Sequence, residues 1–452
     1  MRDITTAPFF IRLGKRQRGP ANSPISQIKR VNISNIVVSD AHSEFASIIA
    51  GLPESLVEDV NFSNIYIEYK GGGTKEDALR EPPENEKNYP EPTFADVVLP
   101  DVLGDSMVLQ RQQKIPIRGK ADAGEAVKVS FGKQKLTAIA DQKGNWRVDL
   151  KPLKASFTAQ SLTIEGKNKI ELKNILVGEV WLVSGNRICN GRFFKQITAK
   201  RKLPKRIIRT FDFSMFRAKL RSRKNRKKLG EWKICNPESV KDFSGAGYYF
   251  GVELQRNLNV PIGLINSSYG GSQAEAWTPT EYLNANPDLK ATVERTKIWE
   301  EERPRVKAEY AAAIEKWKAE SEKQKVSGAK PSPSPSVPDA LRDYRIASSI
   351  YDGMIEPLIP FAIRGAAWYQ GESNEARAEQ YNILLPTMIK SWREKWAQGN
   401  FPFVIIQLPN YRKVSDEPEN SPWSFIREAQ RKTAENTSNT GLNRDHRHRR
   451  SK

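Results

Sequence analysis

Three short runs of small and polar residues have the composition to do chemistry, and each follows a strand-like apolar run. Val180-Trp181-Leu182-Val183 leads into Ser184-Gly185, and residues 260–266 lead into Ser267-Ser268-Tyr269-Gly270-Gly271. Residues 363–369 lead into Gln370-Gly371-Glu372-Ser373-Asn374. A hydroxyl at such a place can serve as a nucleophile, and glycine N–H groups can hold an oxyanion. Taken alone, the glycines read as ordinary turn residues. Ser184 and Ser373 are the nearest serines, but neither has a histidine near it in sequence. The only histidines are His42, His446 and His448. The two cysteines, Cys189 and Cys235, are too few for a disulfide framework or a four-ligand zinc site. No metal or cofactor is expected.

The elements that must position these runs follow an α/β pattern. A fourth strand-like run covers 403–408, and helical segments lie at 238–258 and 376–397. Strands alternating with helices, with small polar residues at the strand ends, predict an open α/β sheet with its site at the carboxyl edge. Residues 281–325 read as a charged helical insertion and KPSPSPSVP at 330–338 as a semi-extended linker, together 281–338. Upstream, 95–178 holds short strands such as Val127-Lys128-Val129-Ser130-Phe131 and the alternating Asn145-Trp146-Arg147-Val148-Asp149-Leu150. They predict a small β-sandwich. In 1–93, VNISNIVV at 31–38 recurs as VNFSNIYI at 60–67, a spacing of 29 residues. A repeat of that length with matched asparagines suits rungs of a parallel β-helix.

The chain has 452 residues and a net charge of +20. Residues 186–229 carry seventeen Lys or Arg against one acid, Asp212, and 443–452 carry five against Asp445. These two windows account for the whole excess, so the remainder is neutral. A run such as Arg221 to Lys228 would contact phosphates, but no nucleic-acid fold motif surrounds it, and nucleic acid is not the expected partner. Mean hydropathy is −0.62 and no long apolar run suggests a membrane span. The first twenty residues lack the apolar stretch of a secretory signal, which leaves localisation open.

Two resemblances are specific. Residues 95–442 resemble the sialate O-acetylesterase domain family, carbohydrate esterases of the SGNH hydrolase superfamily. The likeness rests on MVLQR at 107–111, GEVWLVSG at 178–185, GEWKICNPESVKDFSGAGYYFGVEL at 230–254 and NVPIGLINSSYGGSQAEAW at 259–277. IRGAAWYQGESN at 363–374 and FPFVIIQLPNYRK at 401–413 complete it. Residues 1–93 resemble the C-terminal part of the polygalacturonase (pectinase) glycoside hydrolase family, through APFFIRLGKRQRGP, VNISNIVVSD and VEDVNFSNIYIEYKGGGTKEDA. That family's paired aspartates lie upstream of these rungs and have no counterpart here. The implied architecture is a three-layer α/β/α SGNH-type domain over 179–452, a β-sandwich at 95–178 and a short parallel β-helix fragment at 1–93.

The esterase resemblance implies hydrolysis of sugar O-acetyl esters by a Ser-His-Asp mechanism. Gly270, Gly271, Gly371 and Asn374 take the oxyanion positions, with a Cβ at the glycines crowding the substrate. The nucleophile is lost: the family follows Ser-Gly with Gln-Ser-Asn-Met, and Arg187 occupies the serine position. A guanidinium cannot be deprotonated to attack an ester. The family's Asp-x-x-His is not found after Leu442, where the likeness ends. Degenerate codons for 185–194, read one base upstream, permit Gln-Ser-Asn-Met-Gln-Trp-Pro-Leu-Phe. Those for 444–451, read one base downstream, permit Val-Thr-Ile-Asp-Ile-Gly-Asp. We therefore read 186–229 and 443–452 as out-of-frame translations in a chimeric gene product, inactive as written and with sheet edges left uncovered. A non-catalytic sugar-binding protein using Trp277, Gln370 and Glu372, or a basic nucleic-acid-binding protein, is the alternative.

Overall fold

The computed structural model describes residues 10–12, 27–41, 48–50, 56–69, 96–186, 213–217, 229–236, 238–411 and 420–443. The chain divides into two compact units, 1–92 and 93–452.

In the first unit, β1 (Phe10–Arg12) pairs in parallel with β3 (Ile48–Ala50), and β2 (Ile28–Ala41) with β4 (Val57–Tyr69). The 29-residue repeat sets the second register: Val31 lies opposite Val60, Asn32 opposite Asn61 and Ser34 opposite Ser63. Like therefore stacks on like. Asn61 donates its amide to Asn32 Oδ1 at 3.1 Å and Asn64 to Asn35 Oδ1 at 2.9 Å. Asn35 and Asn64 both take left-handed backbone, φ 56° and 53°, a conformation asparagine adopts more readily than most residues.

The second unit opens with β5 (Val108–Gln110), β6 (Ile115–Lys120), β7 (Ala126–Phe131), β8 (Gln134–Ile139), β9 (Asn145–Leu150) and β10 (Ser156–Glu165). β6 pairs with β9, and β8-β7-β10 form an antiparallel run. Alternation decides the faces: Trp146, Val148 and Leu150 of β9 and Val127, Val129 and Phe131 of β7 enter one core. The run continues into β11 (Lys169–Gly185), which pairs with β10 through its first half. Its second half lies parallel between β14 (Ile262–Ser268) and β15 (Gly365–Tyr369). The boundary expected at 178–179 thus falls inside one unbroken strand.

β12 (Phe213–Arg217), β13 (Trp232–Ile234), β16 (Phe403–Ile406) and β17 (Thr440–Asn443) complete the order β13-β12-β14-β11-β15-β16-β17, with only β13 antiparallel to its neighbour. β12 takes an interior place in the sheet, between β13 and β14. Although it lies in the basic window, Met215 and Phe216 bury, and the Phe216 ring meets Trp232 at 5.5 Å. Apolar side chains suffice to occupy a strand position, whatever their origin.

The helices are α1 (Gly245–Leu258), α2 (Thr280–Ala285), α3 (Pro287–Val326), α4 (Ala378–Trp396) and α5 (Pro422–Asn436). β11 is buried on both faces, which is why it reads as a continuous apolar run. Trp181 and Val183 pack with Tyr248 and Val252 of α1, whereas Val180 and Leu182 join the core containing α4. The insertion helix α3 is docked through Leu289, Thr292, Val293 and Thr296. The Pro/Ser segment after it is held against its far end: Trp317 Nε1 donates to the Ser332 carbonyl at 2.8 Å, and Ser332 N to Gln324 Oε1 at 2.9 Å. No helix among the described residues is long and apolar enough to cross a membrane.

Candidate active site

The chain builds β12 and β14 on one flank of β11 and β15 to β17 on the other. The order reverses at β11, so the carboxyl ends of β14, β11 and β15 frame a crevice, the usual ligand position in an open parallel sheet. Gly185 closes β11 at φ 107°, and a Cβ there would stand 2.2 Å from the Tyr369 carbonyl oxygen. Only glycine lets the two strand ends approach so closely.

Asn186 follows, and its amide joins the three ends. Its backbone N–H donates to the Tyr369 carbonyl at 2.6 Å, and its Oδ1 accepts the Gly271 N–H at 3.1 Å. Its Nδ2 donates to the Glu372 carboxylate. Burial pushes the Glu372 carboxyl above the usual carboxylate range, although the bond from Asn186 opposes the shift. Glu372 is half-buried, just beyond the end of β15.

Several expected site residues have other duties. Trp277 is fully buried, its ring edge-on to Trp368 at 5.4 Å and its indole N–H bound to Ser272 Oγ at 2.9 Å. It is a core residue and no sugar can reach it. Gln370 is likewise sealed: Nε2 donates to the Ser272 carbonyl and to Asn374 Oδ1, and Oε1 accepts Tyr381 OH. The Asn374 amide points inward, accepting Ala274 N at 2.9 Å and donating to Glu275 Oε2 at 2.9 Å. It pins the turn after β15 instead of facing an ester. Of the proposed sugar contacts, only Glu372 keeps some exposure to solvent.

The glycines divide in the same way. Gly271 is exposed with φ 75°, and a Cβ there would have room, 3.7 Å from Tyr344. The backbone conformation, and not crowding, calls for glycine. Gly371 is buried, and a Cβ there would stand 2.8 Å from both Ile426 and Leu408, so packing of α5 requires it. Gly270 lies half-buried beside Gly271 at the β14 end. Ser184 is ruled out as a nucleophile, since its buried hydroxyl donates to the Ser267 carbonyl at 2.6 Å. Arg187, Cys189, His42, His446 and His448 lie outside the described residues, as does most of 186–229. Burial pushes the Cys235 thiol to about 12, which leaves it unreactive. No group of three metal-ligating side chains occurs among the described residues.

Sequence reasoning missed Asn186 and Glu275. Asn186 directly follows the Ser-Gly pair, a signal available from the start. Glu275 is fully buried and accepts from Arg295 at 2.6 Å, from Arg377 and from Asn374. Its partners lie up to 102 residues away, so no local pattern announces it.

Residues 339–450 match the family described as carbohydrate esterase, sialic acid-specific acetylesterase. Over much of its length the chain is similar to sialate O-acetylesterases. It is 25% identical to the Homo sapiens sialate O-acetylesterase over 346 residues, 70% of this chain and 58% of that protein. With the Mus musculus sialate O-acetylesterase it shares 26% over 341 residues, 68% of this chain and 59% of the other. The chain thus spans under two thirds of these relatives' length. Among solved structures, a carbohydrate acetylesterase from Xanthomonas citri superposes with a TM-score of 0.58 at 28% identity, covering 77% of this chain and 68% of that one.

Proposed function

We propose that this chain descends from a carboxylic ester hydrolase that removed O-acetyl groups from carbohydrates by a Ser-His-Asp mechanism. The observation that carries the proposal is the junction of Asn186, Gly271 and Glu372 at three strand ends, with position 187 next in line. In that mechanism a serine at 187 attacks the acetyl carbonyl beside the Gly270-Gly271 backbone, and the Gly271 N–H, bound to Asn186 Oδ1 in this structure, turns from that amide to the developing oxyanion. With Arg187 there, no acyl-enzyme forms and the pocket keeps only its capacity to hold an acetylated sugar. Glu372, whose carboxylate accepts from Asn186, can also accept from a sugar hydroxyl.

The domain reading belongs to the same proposal. Residues 1–93 form a pectinase-like β-helix fragment, which the in-register asparagine stacks support. Residues 95–178 carry the β-sandwich and 179–452 the SGNH-like esterase, the two sharing the continuous strand β11 and not separated at 178, with 186–229 and 443–452 out of frame. Sequencing the gene across both windows, then assaying acetate release from O-acetylated sialic acid by the frame-restored chain, tests it. Restored turnover supports the reading; codons incompatible with the shifts, or a restored chain without activity, count against it.

A further inference from the structure

Beside the crevice stand two tyrosines that no motif assigned. Tyr269 follows β14 directly, and Tyr344 comes from the turn at Asp343–Arg345, beyond the insertion helix. Their ring centroids are 4.9 Å apart with planes inclined by 31°, and both rings are half-buried. The edge of Tyr344 overhangs Gly271: a Cβ on that exposed glycine would lie 3.7 Å from its Cε2 and 4.0 Å from its phenolic oxygen. Gly271 is also the residue whose N–H reaches Asn186, and through it Glu372. A flat aromatic surface thus stands next to converging amide and carboxyl groups. Sugar recognition needs both, since a pyranose presents C–H faces to a ring and hydroxyls to polar groups.

The insertion supplies the bracing. Arg303 of α3 pairs with Asp343, and Thr296 Oγ1 accepts Ala347 N at 3.1 Å. Ser349 Oγ donates to the Asp343 carbonyl at 2.7 Å. The turn that carries Tyr344 is therefore fixed by a helix outside the sheet.

We propose that Tyr344, backed by Tyr269 and held in place by α3, is the wall on which the sugar ring of the substrate stacks. This rests on the reading of the crevice as an acetyl-sugar site. The test is isothermal titration of the full chain, and of Tyr344→Ala, Tyr344→Phe and Arg303→Ala, with the methyl glycoside of a 9-O-acetylated sialic acid, while acetate is monitored. Expected are a loss of about fivefold to tenfold in affinity for Tyr344→Ala, near-unchanged affinity for Tyr344→Phe, and an intermediate loss for Arg303→Ala. Binding by the parent chain that Tyr344→Ala leaves within about twofold overturns the wall and spares the site. No binding by the parent chain overturns both. Should acetate appear, the inactivity is refuted and the wall is read from KM: a rise in Tyr344→Ala supports it, and an unchanged KM removes it. Matching melting curves for Tyr344→Phe and the parent chain guard against a folding artefact.

Discussion

The Asn186 side-chain oxygen accepts the Gly271 backbone N–H at 3.1 Å, tying the end of β11 to the end of β14. Because the same amide also donates to Glu372, three strand ends depend on one side chain. Asn186→Ala should cost about 1–3 kcal/mol, since one bond is to a carboxylate and its acceptor is largely shielded from water. Urea denaturation measures this, and a loss below about 0.3 kcal/mol would show that the junction is ornamental.

Glu372 gives the crevice a pH signature. Burial raises its folded pKa above the unfolded value, so between about 4 and the raised value the native state binds more protons than the unfolded state. Its contribution therefore weakens as pH rises through that window. Glu372→Gln keeps an acceptor for Asn186 and removes the titration. The variant should melt higher than the parent chain at pH 7, with the gap closing below about pH 4. Parallel melting curves that keep a constant separation from pH 3.5 to 7 would contradict the assignment.

Glu275 sits fully buried under the site with Arg295, Arg377 and Asn374 as partners. Removing it leaves two partly buried guanidinium groups, 27% and 26% exposed, without their shared carboxylate. Because water reaches both arginines, Glu275→Ala should lose about 1–3 kcal/mol in equilibrium unfolding. A loss under about 0.5 kcal/mol would contradict a structural role for this cluster.

Trp277 separates packing from binding. Its ring meets Trp368 at 5.4 Å and Trp392 at 6.5 Å, deep in the core. Trp277→Ala should cost about 3–5 kcal/mol. Trp277→Phe should retain the parent's affinity for an acetylated sugar in titration calorimetry. Weaker binding by the folded Phe variant would return Trp277 to the site.

Much of the frame was legible because burial on two faces writes itself as continuous apolar runs. Val180 to Val183 announces β11, and the expected helix at 376–397 is α4 at Ala378–Trp396. The 29-residue repeat announces the register of β2 on β4. What stayed hidden depends on partners distant in sequence. An indole beside a strand-end loop has the same chemistry whether it faces a sugar or Trp368, and only packing decides. Asn374 looks like a free donor until Glu275, 99 residues earlier, takes its amide. The fit of Met215 and Phe216 into β12 was equally invisible, since nothing in a basic window signals two buried apolar residues.

With Arg187 in the serine position of the proposed mechanism, no group is left to attack an acetyl ester. Acetate released by the purified chain carrying Arg187, incubated with O-acetylated sialic acid, measures this most directly. The expected result is release no faster than in buffer. Sustained turnover that scales with the concentration of this chain, and persists after repurification, would contradict it.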